Sequence, residues 1–307
     1  MKAISHITIG VADLRQALEL WVDRFGLELL ADRRGPDPGL GQIWHLEPEA
    51  VVAQALVGTP GVAAGRIHFV QFAGQAASVR QGAAAADLCP KSLDVTCVDM
   101  PRRMAELIAA GFGFRSELAE YELEELQIRE VQMPAHDDTN VVFIEVLGEE
   151  LPLSPKRYGA VTSFVSIVPD VEAEARFYQD ILRLDLLIEH LLAGPGIEAT
   201  VGLPKGAALD LRLLGCDEER YGRVELIEYR GATGANRYPL ARPPALGALF
   251  ESFVVDSLGT LVERCERAGI DVEYHLSAHT LCGRGALGVI HTPAGLRVEI
   301  WQRGGGN

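Results

Sequence analysis

The chain has 307 residues, enough for about two domains at roughly 150 residues each and for a core that needs no disulfide or metal to form. Hydrophobic residues make up 48% and charged ones 23%, which excludes a disordered polymer. With 28 Lys and Arg against 43 Asp and Glu, the net charge of −15 disfavours phosphate backbones and anionic lipid, so no nucleic-acid or membrane partner is expected. Five scattered cysteines without a C-x-x-C pair predict neither a disulfide framework nor a zinc knuckle, and they fit a cytoplasmic protein. The opening MKAISHITIGVADL has no apolar signal core, and no run approaches the ~18 apolar residues of a membrane span.

Residues 4–11 alternate as a strand, and Asp13 is placed to cap a helix whose apolar stripe is Leu14, Leu18, Trp21 and Phe25. Gly26 provides the left-handed stop. The G-x-G at 39–41 precedes no strand-to-helix phosphate loop and reads as a turn, as does that at 111–113. A second strand-helix unit spans 92–114, and the acidic stretch 117–130 reads as a solvated face. GEELPLSPKRYG (148–159), with two prolines and mixed charge, reads as a linker. The pattern then starts again. ISHITIGVADLRQALELWVDRFGLELL (4–30) matches VTSFVSIVPDVEAEARFYQDILRLDLL (161–187), with Asp170 as the cap and Val171, Ala175, Tyr178 and Leu182 as the stripe. GRIHFVQFAG (65–74) aligns without a gap on GRVELIEYRG (222–231), and 92–114 on 250–272. Each half therefore reads as two modules of strand, helix and about three strands, and RGGGN as a frayed end.

Four β-α-β-β-β units, with His6 in HITIGVADL and strands ending VELIE or VEIW, resemble the vicinal oxygen chelate superfamily of glyoxalases, bleomycin-resistance proteins and extradiol dioxygenases. The resemblance implies an α+β fold of two tandem domains, each made of two paired modules whose curved, mostly antiparallel sheet surrounds a cavity. The boundaries read as 1–148 and 159–303, with 149–158 as linker and 304–307 as tail. It also implies four site positions per domain, on the first and last strands of each module. In the N-terminal half these are His6, His68, Ser92 and Glu145, with Asp94 in place of Ser92 if the strand slips by two. Trp44 and His45 are the loop residues expected to reach that pocket. In the C-terminal half they are Ser163, Glu225, Phe250 and Glu299, two carboxylates without an imidazole, which reads as a pseudo-site.

Two imidazoles and a carboxylate leave coordination positions open, so the expected cofactor is one divalent ion (Zn, Fe, Mn, Ni or Co) on His6, His68 and Glu145. The function this implies is proton transfer on a small carbonyl-bearing or aromatic metabolite, in the manner of a glyoxalase or epimerase, with Glu145 as base. The alternatives are an Fe(II) ring-cleaving dioxygenase and a non-catalytic small-molecule binding or resistance protein; a homodimer is compatible with either. No nucleophile elbow or phosphate loop is present, which removes hydrolase and kinase readings.

Overall fold

The computed structural model describes residues 2–74, 76–123 and 125–303; the expected frayed end at 304–307 lies outside them. Module 1 comprises β1 (Ile4–Val11), helix α1 (Leu14–Leu18, continued by a wider turn over Glu19–Arg24), β2 (Glu28–Arg34), helix α2 (Pro38–Trp44), β3 (Val51–Gly58) and β4 (Arg66–Phe72). Module 2 comprises β5 (Pro90–Cys97), α3 (Met100–Ala109), β6 (Ala119–Leu123), β7 (Leu126–Pro134) and β8 (Asn140–Val146). Module 3 has β9 (Tyr158–Ile167), α4 (Val171–Phe177 and a wider turn to Leu182), β10 (Asp185–Ala193), α5 (Pro195–Val201), β11 (Ala208–Cys216) and β12 (Glu219–Arg230). Module 4 has β13 (Gly247–Val255), α6 (Leu258–Ala268), β14 (Glu273–Thr280), β15 (Gly283–His291) and β16 (Arg297–Arg303). The fourfold repeat is therefore real, and the protein is α+β with two curved, mixed sheets of eight strands.

The pairing of modules differs from the expected one. One sheet runs β14-β15-β16-β13-β1-β4-β3-β2 and joins module 4 to module 1; the other runs β10-β11-β12-β9-β5-β8-β7-β6 and joins module 3 to module 2. Neither sheet is made from one half of the sequence, so the halves 1–148 and 159–303 do not coincide with the two sheets. The stretch 149–158 joins two strands of the same sheet. The chain crosses between sheets at 73–89 and returns at 231–246. These two crossings run side by side, tied by Arg237 Nε to Asp87 at 2.6 Å and by the Ala235 N–H to Asp87 at 2.9 Å. Each module has one free first-strand edge, and any other module's first strand can satisfy it. The strand grammar is the same for all partners, so only the path of the crossings selects one.

The local expectations for the helices hold. Asp13 accepts from Arg15 N at 2.8 Å and Asp170 from Ala173 N at 2.9 Å. Trp21 and Phe25 are fully buried, Leu14 nearly so, and Leu18 only partly, because the helix widens after it and moves Leu20 into the core. Gly26 takes the left-handed turn at φ 71°, and Arg183 takes it at 61° without glycine's freedom. Gly65 and Gly222, which head the matched GRIHF and GRVEL strands, have φ of 63° and 74°. A Cβ on Gly65 would stand 2.0 Å from Val161 O, and one on Gly222 2.3 Å from Ile4 O. The two sheets thus meet backbone to backbone at equivalent points of the repeat, where no side chain fits.

The expected turn at 39–41 is instead part of α2. Asp37 caps this helix, accepting from Leu40 N at 3.1 Å, and Pro38 sits in its first turn. A Cβ on Gly39 would lie 2.1 Å from His279 O, so glycine here lets α2 press against β14.

Candidate functional site

In every module the last strand sends a Gln or Glu to the helix start of that same module. Gln71 accepts from Leu14 N at 3.1 Å, Glu145 from Met100 N at 3.1 Å, Glu228 from Val171 N at 3.1 Å and Gln302 from Leu258 N at 2.7 Å. Each satisfies one of the otherwise free N–H groups of the first helical turn. Glu145 takes the Asp99 N–H as well, at 2.6 Å, where Asp99 itself makes no side-chain cap. Glu145 therefore stands at a capping position on the second sheet, not beside His6, and the site position of its module is Val142, three residues earlier. Replacing Glu145 by Ala should cost about 1–3 kcal/mol through the lost charged acceptor and leave metal content unchanged. Urea midpoints and elemental analysis of the variant check both halves of that expectation.

With the modules paired as 1 with 4 and 2 with 3, both expected four-residue sets are split. His6 and His68 share the first sheet with Phe250 and Glu299, whereas Ser92, Asp94 and Glu145 share the second with Ser163 and Glu225. Register sets the first group on one face: Thr8 lies opposite His68 and Phe250, and His6 opposite Ser252, which lies opposite Glu299. The His6 and His68 rings meet edge to face with centroids 6.0 Å apart.

His68 is almost completely buried, and this desolvation holds its pKa down to about 3, so the ring is neutral and keeps a lone pair. A buried chain decides which nitrogen carries the proton. Gln54 Nε2 donates to Asp37 Oδ2 at 2.6 Å, so Gln54 Oε1 is left to accept from His68 Nε2 at 3.0 Å. His68 Nδ1 then faces Thr8 Oγ1 at 3.4 Å with its lone pair. Glu299 is held differently: Trp44 Nε1 donates to its Oε1 at 2.8 Å and Arg297 at 3.1 Å. Trp44 lies 5.8 Å from Phe250 and 6.3 Å from His68 between ring centroids. His45 turns away to the surface and pairs with Glu273 at 2.8 Å, because its left-handed backbone ends α2.

Among the described residues, the one group of three His, Cys, Asp or Glu donors close enough to hold a metal is His6, His68 and Cys282, with ligand atoms within 4.8 Å of one another. The composition fits a borderline ion such as Zn²⁺, which takes imidazole nitrogen and sulfur and keeps an open position with three protein ligands. Burial, with Glu299 and Asp37 nearby, pushes the Cys282 thiol up, and a cation at this point would reverse that effect. Cys282 comes from the β14–β15 turn, 214 positions from His68 (282 − 68), and no spacing signal could have joined them.

The second sheet offers Ser92, Val142, Ser163 and Glu225 at the equivalent positions and no imidazole. It carries a partly open cavity of about 350 Å³ whose lining includes Ser92, Asp94, Ser163 and Glu225 together with Lys91 and Glu130. Burial pushes both Asp94 and Glu225 up, and their side chains hydrogen-bond, so the pair retains a proton at neutral pH. Desolvation pulls Lys91 down to about 7; its Nζ donates to Tyr229 OH and lies 4.7 Å above that ring. The stretch read as a solvated face is the β6–β7 hairpin, and Glu130 on it lines the cavity. Lys91 and Glu130 were not visible as site residues because each sits among ordinary strand neighbours.

The fold, with four modules in tandem in one chain, is similar to that of solved glyoxalase structures. Glyoxalase I from Zea mays superposes with a TM-score of 0.67 at 15% identity over 98% of this chain and 92% of that one. A point mutant of the same maize enzyme gives 0.66 at 16% identity, covering 98% and 93%. A "putative dioxygenase" from Bacillus subtilis gives 0.63 at 13% identity, covering 99% and 86%. No protein-family model and no curated protein sequence matches the chain. No helix among the described residues is long and apolar enough to cross a membrane.

Proposed function

We propose that this chain is a metal-dependent enzyme of the glyoxalase and epimerase kind, moving a proton on a small carbonyl-bearing or aromatic metabolite at the first sheet. The observation that carries the reading is the convergence of His6, His68 and Cys282 within 4.8 Å on the concave face where modules 1 and 4 join. His6, His68 and Cys282 would hold a divalent ion there, which would supply a Lewis acid for a substrate carbonyl oxygen. The protein's own part begins with the Asp37–Gln54–His68 chain, which holds the ring of His68 in one tautomer and orientation. Glu299 on the same face is the carboxylate proposed to take the substrate proton. The bonds from Trp44 and Arg297 both fall on its Oε1, which leaves Oε2 as the receiving oxygen. Glu145, on the other sheet, has no part in this site.

One observation favours a second reading, a binding protein without turnover. Helix α2 lays Leu40, Ile43 and Trp44 into an apolar cluster with Phe250 and Trp301 on the concave face of the first sheet, whereas the second sheet keeps its cavity.

Elemental analysis of protein purified without a histidine tag separates these readings. About one equivalent of Zn, Mn, Ni or Co per chain is expected, absent from His68→Ala and from Cys282→Ala. Gln54→Ala should keep the ligands and weaken metal affinity by about 10- to 100-fold, the usual effect of losing the group that orients a metal-binding imidazole. Exchange of a substrate α-proton in D₂O should vanish in Glu299→Gln while the metal stays bound. Iron with O₂ consumption on a catechol would replace proton transfer by oxygenation. Wild-type protein without metal would leave the binding reading.

A further inference from the structure

We propose that the cavity of the second sheet is a binding site for an apolar molecule carrying one basic amine, independent of the histidine site on the other sheet. At about 350 Å³ it has the size of a small-molecule pocket, and its walls include Ile128, Val165, Leu192, Leu211 and Ile227. Such walls select a lipophilic body. The polar floor decides the head group.

Five carboxyl groups, those of Asp94, Glu122, Glu130, Glu149 and Glu225, belong to the lining, and Glu130 accepts from Tyr121 OH at 2.7 Å. The basic side chains of the lining are already engaged. Arg220 pairs with Glu149, Arg223 donates to the backbone carbonyls of Glu219 and Cys216, and Lys91 donates to Tyr229. Carboxyl groups thus outnumber bases in the lining by five to three, and the buried Asp94–Glu225 pair avoids the cost of an unpaired charge by holding a proton, which a cation seated beside it would displace. A separate observation points the same way. Asn140, 4% exposed and part of the lining, leaves its Oδ1 without a hydrogen-bond partner. A buried orphan acceptor in the wall of the cavity calls for a donor. An ammonium group brings several N–H donors and the missing charge together, whereas an alcohol brings one donor and no charge, and a carboxylate brings repulsion.

Isothermal titration with octylamine, 1-octanol and octanoate on the full chain, in EDTA, tests this without reference to the metal site. Octylamine should bind about ten- to a hundredfold tighter than octanol, the scale of one charge-assisted hydrogen bond, and octanoate weakest of the three. In Asp94→Asn/Glu225→Gln the amine should fall to the affinity of the alcohol, which itself should change little. Should that double variant not fold, Leu211→Trp, which fills the cavity from the wall, should abolish binding of both. Octanoate binding as tightly as the amine, an amine preference that survives the double variant, amine binding that survives Leu211→Trp, or no binding of any of the three would overturn the proposal.

Discussion

Glu251→Gln should make the protein several kcal/mol more stable at pH 8.5 while changing its stability little near pH 4.5. Glu251 lies on β13, completely buried, and accepts from Tyr178 OH at 2.7 Å; its other oxygen has no partner. Burial pushes its pKa up to about 8 from an ordinary 4.5, so the folded protein holds a proton that the unfolded chain releases. Between those two values the native state binds more protons, and stability must fall as pH rises, at up to about 1.4 kcal/mol per pH unit. Below about 4.5 both states are protonated and the penalty disappears; above 8 it is complete. The amide keeps the acceptor for Tyr178 and cannot ionise, so the variant loses this slope. A slope should remain from Glu174, whose pKa burial raises to about 7, and from the Asp94–Glu225 pair, which burial also pushes up. Urea midpoints from pH 4.5 to 8.5 read the result directly. Parallel profiles for the two proteins would show that Glu251 is already ionised in the folded state.

Trp21→Ala should destabilise by about 3–5 kcal/mol, the range for deleting a large aromatic side chain from a core. Trp21 is fully buried between Phe25, 5.2 Å away edge to face, and Phe69, 5.9 Å away. Its indole Nε1 also donates to His136 Nε2 at 3.1 Å, a residue of the segment between β7 and β8 on the other sheet. Phe25 in turn stacks on Tyr158 of β9 at 4.6 Å, so the helix of module 1 is packed into a core shared with module 3. The deletion leaves a cavity between the two sheets and an unpaired imidazole nitrogen. Trp21→Phe should lose much less, because it keeps most of the ring volume and forfeits mainly the hydrogen bond. Equal losses for the two variants, measured by denaturant unfolding, would place the energy in the hydrogen bond rather than the packing.

The placement of several candidate residues was legible in the sequence. His6 and His68 were marked by the repeat, and they do lie on one face, with Trp44 beside them. Glu225, Ser163 and Ser92 were placed at equivalent strand positions and line one cavity. Glu145 was misplaced because an acidic residue near the end of a strand can serve either as a site group or as a helix cap. The two positions are three residues apart, and only the hydrogen bonds to Asp99 and Met100 distinguish them.

What the sequence by itself determined was the module: strand, helix stripe, left-handed stop and return strands, written four times, whereas of the Asp expected before each helix only Asp13 and Asp170 cap, Ser257 taking that role in module 4. These are local properties, carried by neighbours three or four positions apart and by alternation along a strand. The pairing of modules was decided only in the tertiary structure, since four units with the same grammar offer equivalent edges to one another. That pairing moved Glu299 to the histidines and Asp94 to Glu225, and it brought Cys282 out of a distant turn to His6 and His68. A metal centre or a carboxyl pair depends on distances of a few ångströms between chain segments hundreds of residues apart, and no local periodicity encodes those.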